Sequence, residues 1–134
     1  MSKYKVTYFP DGDLDSLLHG ASIVYDHRPD YHCGFTKREF LETVHDDMAG
    51  LPLIACFQKD TFCGAITFSP PRRDVHHRGT GRSVITMATL PGSAGAFREL
   101  LKALDELVRS EGGTWVSLPK RLSPREVRII YRSI

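Results

Sequence analysis

The sequence predicts a mixed α/β fold whose central sheet is antiparallel over its first strands and parallel over its later ones. Two observations carry this prediction. One is a pair of apolar runs separated by three polar residues, and the other is a long amphipathic stretch between two apolar strands. Strands joined through a helix are commonly parallel, since the crossover returns the chain to the same end of the sheet. The 134 residues suit a single domain, which we expect to span residues 1–134.

The first part of the chain is predicted to contain a strand and two helices. Residues 3–9 alternate polar and apolar side chains, as a strand with one buried face does. Apolar residues then recur at helical spacing, which indicates a helix over about residues 13–25. A second helix is expected to begin at Thr36, because Glu39 three residues later completes a capping box.

The middle of the chain is predicted to form a hairpin and then a polar loop. The apolar runs at residues 52–58 and 62–69 pair as the hairpin, and residues 72–82 form a loop with four arginines. The elements expected after this loop are a strand at residues 83–90, a tight glycine turn, a helix at about residues 96–111 and a short buried strand at residues 114–118.

The last residues are predicted to form a closing helix that begins at Ser123. Ser123, Pro124 and Glu126 stand where an N-cap, a first-turn proline and a capping-box glutamate belong. The apolar face of this helix would consist of Val127, Ile130, Tyr131 and Ile134. The sequence stops inside this helical pattern, so no further hairpin is expected.

Composition and charge argue against several classes of function. The formal net charge is +2, from 18 Lys and Arg against 16 Asp and Glu, which does not favour nucleic-acid or anionic-membrane binding. No apolar run approaches the ~18 residues of a membrane span, and no signal peptide is recognisable. The three cysteines, Cys33, Cys56 and Cys63, are odd in number and lack CxxC spacing, which indicates reduced thiols in a cytoplasmic protein.

The stretch TLPGSAGAFRELL at residues 89–101 carries the clearest likeness to a known family. Together with the order of elements, it resembles the GNAT superfamily of acetyl-CoA-dependent N-acetyltransferases, above all small members from bacteria and phages. There a splayed strand bonds the pantetheine arm, and loop N–H groups meet the pyrophosphate at a partly positive helix N-terminus. The resemblance implies that acetyl-CoA is the cosubstrate and that it is bound by Met87, Ala88, Thr89, Leu90, Gly92, Ser93, Ala94, Gly95 and Ala96.

Residues 129–134 resemble the closing helix of the same family, in which a tyrosine hydroxyl protonates the thiolate of the departing coenzyme A. The resemblance implies this catalytic role for Tyr131. Considered without the family, Tyr131 is equally well a core tyrosine, and the glycine turn is a plain connection between strand and helix.

Two features depart from the family pattern. The glycine turn lacks the Arg or Gln and the full Gly-x-Gly motif of a strong coenzyme A loop. The final hairpin of the family is expected to be absent, which would leave the strand at residues 114–118 as an open sheet edge. A partner chain would then cover that edge, and a homodimer is the preferred expectation.

The implied function is transfer of an acetyl group from acetyl-CoA to an amine of a protein or small molecule. The alternative is a catalytically inactive interaction protein, such as a phage factor that binds a host protein. Asp26, His76 and His77 are candidates for the base that deprotonates the amine, although each also suits a solvated surface. The arginines of residues 72–82 suit an acidic substrate, nucleic acid or solvent. No metal is expected, since no set of ligands has a metal-binding spacing.

Overall fold

The computed structural model describes residues 3–29 and 32–134, which build a sheet with helices on both faces. In chain order the described elements are β1 (Lys5–Phe9), α1 (Leu14–His27), α2 (Lys37–Met48), β2 (Leu53–Gln58), β3 (Thr61–Phe68), β4 (Arg72–Asp74), β5 (His77–Thr89), α3 (Ala96–Ser110), β6 (Trp115–Ser123) and β7 (Glu126–Ser133). Within the described ranges, none of the helices is both long and apolar enough to cross a membrane.

The strands pair in the order β1-β2-β3-β5-β6-β7, and β4 pairs with the first residues of β5 beside this path. Every pairing is antiparallel except the one between β5 and β6, which follows the α3 crossover. The predicted hairpin is β2 and β3. Its turn residues, Lys59 and Asp60, have positive φ angles of 48° and 66°, as a two-residue hairpin turn requires. The predicted fold class is therefore confirmed.

Each face of the sheet buries its own apolar cluster. On one face α3 presents Leu100, Leu104 and Val108, which lie along a single helical stripe and are fully buried. On the other face α1 contributes Leu17 and Ala21 to a smaller cluster that it shares with α2. This smaller cluster leaves room for a cleft on the same face.

The first two helices each begin at a residue whose side chain caps the helix N-terminus. The Asp13 carboxylate accepts a hydrogen bond from the Ser16 N–H at 3.2 Å and caps α1. At α2, Thr36 and Glu39 form both bonds of the predicted capping box. Such caps satisfy N–H groups that have no partner inside the helix, so these boundaries follow from local chemistry.

The polar loop predicted at residues 72–82 is wrong, because this stretch is a second hairpin. Its pairs are Arg72 with Gly81, Arg73 with Thr80 and Asp74 with His77. Backbone pairing does not require apolar side chains, and an arginine-rich strand therefore lacks the alternation by which strands are recognised. The glycine at position 81 allows close packing, since a Cβ there would overlap the ring of Trp115.

The predicted closing helix is also wrong, because Glu126–Ser133 forms β7. Pro124 and Arg125 are the central residues of a hairpin turn, in which the Ser123 Oγ accepts the Arg125 N–H at 3.2 Å. Proline favours the second position of such turns, so the Ser-Pro-x-Glu pattern suits a turn as well as a capping box. The β-branched residues that follow favour a strand once β6 is available for pairing.

The expected absence of a final hairpin is wrong for the same reason. Every residue of β7 faces a partner in β6, so the strand at residues 114–118 is not an open edge. The edge is instead β7, on which Val127 and Ile129 are exposed. The expected homodimer stays a prediction. Of the two departures that favour the alternative of an inactive interaction protein, the missing hairpin no longer holds, and the incomplete glycine motif remains.

β5 and β6 lie side by side over only three residue pairs, which end at Ser83 and Ser117. Beyond Ser83, β5 remains paired with β3 but has no described partner on the side of β6. A bulge at Ile85, which has no opposite residue in β3, adds local twist. In β6, Pro119 lacks the N–H that a continued ladder would use. The two strands therefore diverge and leave a cleft between them.

Replacing Gly81 by alanine should destabilise the fold, because the new Cβ would overlap the ring and the carbonyl oxygen of Trp115. Overpacking of this kind lowers the free energy of unfolding by about 1–3 kcal/mol. Gly20→Ala is the matched control. Its Cβ would meet the Ala88 Cβ at 3.5 Å, an ordinary contact, and alanine stabilises a helix by about 1 kcal/mol relative to glycine. Urea unfolding measures both, and an unchanged midpoint for Gly81→Ala would contradict the close packing of Trp115 on β5.

Candidate active site

A cleft of about 550 Å³ opens where β5 and β6 diverge, and α1 and α2 form its opposite wall. Most of its lining side chains are apolar. The polar side chains are four hydroxyls, of Ser16, Thr43, Thr67 and Thr86, and two guanidiniums, of Arg28 and Arg121. Among the described residues that line it there is no Asp, Glu, His, Lys, Cys or Tyr.

β5 supplies the floor of the cleft through residues 85–88. The Thr67 and Thr86 hydroxyl oxygens lie 2.5 Å apart and share a hydrogen bond between β3 and β5. They are the polar side-chain groups on this floor. The backbone of β5 beyond Ser83 has no described strand on the cleft side, so an extended ligand can hydrogen-bond to it as a strand would. Two of the residues predicted to bind acetyl-CoA, Met87 and Ala88, line this cleft.

The glycine turn lies between the end of β5 and the start of α3, as predicted, but none of its residues lines the cleft. Its Leu90 N–H donates to the Cys63 carbonyl at 2.7 Å, and its Ser93 N–H donates to the Leu90 carbonyl at 3.0 Å. Among the described residues, the N–H groups of Gly92, Ala94 and Gly95 have no hydrogen-bond acceptor. These N–H groups stand just before the N-terminus of α3, where an anion is favoured.

The glycines of this turn are required for different reasons. Gly92 has a φ of +86°, and a Cβ there would meet nothing within 4 Å, so its surroundings are open. At Gly95 a Cβ would lie 2.7 Å from the ring of Tyr4. The glycine at position 95 therefore makes space for Tyr4, a packing role that the family resemblance does not imply.

Tyr131 lies on β7, opposite Ser117, and its hydroxyl donates to the Asp74 carboxylate at 2.6 Å. This bond raises the pKa of Tyr131 and lowers the pKa of Asp74, which also accepts the His76 N–H and lies beside Arg72. Tyr131 is not among the described residues that line the cleft. Its predicted catalytic role was carried over from a helix, whereas the residue stands on a strand, and the role stays a prediction.

A chain of polar contacts connects Tyr131 to the point where β5 and β6 diverge. Arg72 forms an ion pair with Asp74 at 3.4 Å and donates from Nη1 to the Ser83 Oγ at 2.8 Å. The Ser117 Oγ donates to the same oxygen at 2.8 Å. Sequence analysis did not identify these partners of Tyr131. The available signal was Asp74, the single acidic residue in an otherwise basic segment.

The residues proposed as the base lie away from the cleft. Asp26 forms an ion pair with Lys37 at 3.0 Å. His76 is exposed, and the His77 ring stacks near Tyr131, with a centroid distance of 6.1 Å. None of the three lines the cleft, so the structure brings no described base to it.

The cysteines are free thiols, with Cys33 exposed and Cys56 and Cys63 buried. Burial, together with smaller contributions from the neighbouring Cys63 and Glu99, raises the pKa of the Cys56 thiol to about 11. Such a thiol stays protonated at neutral pH and does not act as a nucleophile. Across the described residues, no three His, Cys, Asp or Glu side chains come together as metal ligands.

Comparison with known proteins identifies the fold from structure rather than sequence. No family model and no curated protein matches the sequence. Among solved structures, Ard1 from Thermoplasma volcanium is similar at 13% identity and a TM-score of 0.65, over 99% of both chains. A GNAT family acetyltransferase from Brucella melitensis in complex with acetyl-CoA is similar at 15% identity and a TM-score of 0.59, over 89% of this chain and 77% of that one.

An aminoglycoside acetyltransferase from an uncultured soil metagenomic sample is also similar, at 11% identity and a TM-score of 0.61. This match covers 89% of the present chain and 78% of that protein. At identities this low, the structural similarity shows a common fold and no more. The chain has the fold of the GNAT acetyltransferases.

Exchanging Asp74 for asparagine should remove a pH-dependent contribution to stability. Because the pKa of Asp74 lies below 3.8 in the folded chain, its contribution is present above that value and is lost as pH falls through the lowered pKa. The pKa of Tyr131 lies above 10.0, so its contribution is present below pH 10 and is lost as pH rises through the raised value.

The free energy of unfolding, measured in urea from about pH 2 to pH 11, should therefore differ most between wild type and Asp74→Asn in the window between these two limits. Tyr131→Phe should also lower the free energy of unfolding in that window, and the double variant should lose less than the sum of the two single losses. Additive losses would contradict a direct bond between the two side chains.

Proposed function

We propose that this chain, which has the GNAT fold, is an N-acetyltransferase that moves an acetyl group from acetyl-CoA to an amine. The observation that carries the proposal is the divergence of β5 from β6 beyond Ser83. It leaves one edge of β5 without a described partner beside an apolar cleft, and the same strand leads into the glycine turn at the start of α3. A thioester with a long amide-bearing arm and a pyrophosphate matches this combination.

The proposed position of acetyl-CoA follows from these groups. The amides of the pantetheine arm would bond to the open edge of β5 over residues 85–88. The pyrophosphate would accept from the N–H groups of Gly92, Ala94 and Gly95, next to the positive end of the 15-residue helix α3. Arg98, exposed in the first turn of that helix, would add a cation beside the phosphates.

In the proposed reaction the amine nitrogen attacks the carbonyl carbon of the thioester. A C–N bond forms and the C–S bond breaks, so coenzyme A leaves as a thiolate. A backbone N–H of β5 would stabilise the carbonyl oxygen while it carries negative charge. The proton lost by the amine passes to solvent, because none of the described lining residues is a base.

Tyr131 is the proposed proton donor to the thiolate, and Asp74 opposes this role. The carboxylate raises the pKa of Tyr131, and a phenolate formed by donation would stand beside a second negative charge. A tyrosine held in this way is a weaker acid than a free phenol. Removing the charge of Asp74 should therefore strengthen it.

The binding of acetyl-CoA is tested by calorimetric titration of the wild type and Ala94→Glu. The exposed Ala94 lies beside the N-terminus of α3, so a carboxylate there should repel the pyrophosphate and raise Kd about 10-fold or more. The same carboxylate interacts favourably with the dipole at the N-terminus of α3, so the melting temperature of the variant should not fall. Ala94→Gln, a neutral control of the same size, should bind like the wild type. Absence of binding to wild type at millimolar acetyl-CoA would overturn the proposal.

The role of Tyr131 is tested by comparing Tyr131→Phe with Asp74→Asn. Tyr131→Phe removes the hydroxyl, whereas Asp74→Asn removes the negative charge beside it and leaves an amide oxygen that can still accept from the hydroxyl. The comparison therefore separates the hydroxyl from the charge of its partner. Loss of a general acid should lower kcat about 100-fold in Tyr131→Phe with an unchanged KM for acetyl-CoA. Asp74→Asn should retain kcat or raise it. Wild-type turnover in Tyr131→Phe would mean that water protonates the thiolate.

A further inference from the structure

We infer that the cleft accepts a donor whose acyl chain is much longer than acetyl, and that this chain lies in an apolar pouch between the sheet and the first two helices. The inference rests on the proposed transfer from a coenzyme A thioester and extends the donors of that site, of which acetyl-CoA is the smallest. It follows from the depth of the cleft, from the side chains at its inner end and from the position of that end relative to β5.

The cleft extends from an exposed mouth into the smaller apolar cluster. At the mouth, Phe35, Ile85 and Val127 are between 39% and 54% exposed. The inner end, which we call the pouch, is lined by residues that are at least nine-tenths buried: Leu17, Ala21, Val44, Leu53, Ala65 and Thr67. Because residues with so little solvent contact line the cleft, its inner end reaches the core on this face of the sheet.

The side chains of the pouch suit a hydrocarbon. Apart from Thr67 they are apolar, and they belong to the cluster that α1 and α2 cover. The buried hydroxyls on the lining already have partners: Thr67 shares a hydrogen bond with Thr86 at 2.5 Å, and the Ser16 Oγ donates to the Asp13 carboxylate at 2.6 Å. An apolar group beside them therefore leaves neither hydroxyl without a hydrogen bond, and it gains free energy by leaving water.

The length of the pouch fits a chain of medium length. Leu53, Thr67 and Thr86 stand opposite one another on β2, β3 and β5, in one row across the sheet. Two strand spacings make this row about 10 Å long, and an extended hydrocarbon, which advances about 1.3 Å per carbon, spans it with roughly eight carbons. The methyl of an acetyl group needs about the space of one water molecule, ~30 Å³, and would fill little of a 550 Å³ cleft.

The row begins at the strand to which the proposed donor binds. With the pantetheine arm on the open edge of β5, the thioester carbonyl lies beside residues 85–88, and Thr86 belongs to this stretch. From the carbonyl carbon the acyl chain passes over Thr86 to Thr67 and Leu53, while the amine enters from the mouth. The C–N bond that forms and the C–S bond that breaks are those of the proposed acetyl transfer. Only the chain on the carbonyl carbon is longer.

The test is calorimetric titration of the wild type with coenzyme A, acetyl-CoA, butanoyl-CoA, hexanoyl-CoA and octanoyl-CoA. Each methylene that enters the pouch should lower Kd about 2- to 4-fold. Octanoyl-CoA has six more methylenes than acetyl-CoA, so it should bind at least about 50-fold more tightly. This measurement needs no acceptor and therefore does not depend on the identity of the amine.

Variants of Val44 locate the chain, because Val44 lines the pouch from α2 and is remote in the sheet order from the open edge of β5. Val44→Phe places a larger side chain in the pouch. It should raise Kd for octanoyl-CoA about 10-fold or more and leave Kd for acetyl-CoA unchanged. Leu41→Phe is the matched control, since it introduces the same side chain on the same helix at a position that does not line the cleft.

Val44→Ala keeps the inference testable if urea unfolding shows that Val44→Phe does not fold. The smaller side chain enlarges the pouch, so the ratio of the Kd for octanoyl-CoA to the Kd for decanoyl-CoA should rise about 3-fold over its wild-type value. An unchanged ratio would mean that the end of the chain does not lie against Val44.

Equal affinity of the wild type for acetyl-CoA and octanoyl-CoA would overturn the inference and leave the acetyltransferase proposal intact. A preference for octanoyl-CoA that persists in a folded Val44→Phe would overturn it as well, because the chain would then lie elsewhere on the protein. If neither coenzyme A nor any of its thioesters binds the wild type, both proposals are overturned.

Discussion

The three-residue parallel pairing between β5 and β6 is the constraint on which the rest of the structure depends. Fully buried Trp115 packs on Gly81 and fixes the register, and the hydroxyls of Ser83 and Ser117 close the last pair. Because the pairing ends there, one edge of β5 has no strand of the described residues beside it where it lines the cleft. A longer ladder would satisfy that edge with protein backbone and leave no place for an extended ligand.

Other elements are tied to this junction from both sides of the sheet. Burial alone would lower the pKa of Arg82, but two hydrogen bonds from its guanidinium to Glu111 raise it, so the group stays charged and holds the end of α3. On the opposite side, Tyr131 and Asp74 join β7 to β4. The junction therefore connects α3 and both later hairpins, and a change in its register would displace all three.

Sequence analysis succeeded where the signal is local. The capping box of Thr36 and the buried stripe of α3 act between residues a few positions apart, and both were predicted correctly. It failed at residues 72–82 and at Glu126–Ser133, which are held by backbone pairing with other strands. Of the residues that line the cleft, Met87 and Ala88 are among those for which the family resemblance implies acetyl-CoA binding, and that role stays a prediction. Arg28 and Arg121 were not identified, because no local pattern relates two arginines so distant in the chain.

The sequence by itself determined the order of most elements, the starts of the three helices and the apolar stripe of α3, since caps and helical stripes depend on neighbouring residues. The tertiary structure decided that the last residues form a strand, where β5 and β6 part, and which charges share the cleft. The physical reason is that these outcomes depend on contacts between distant segments, such as Trp115 on Gly81 and β7 on β6. Such contacts exist only in the folded chain, and there they outweigh the local preference of a segment for helix or strand.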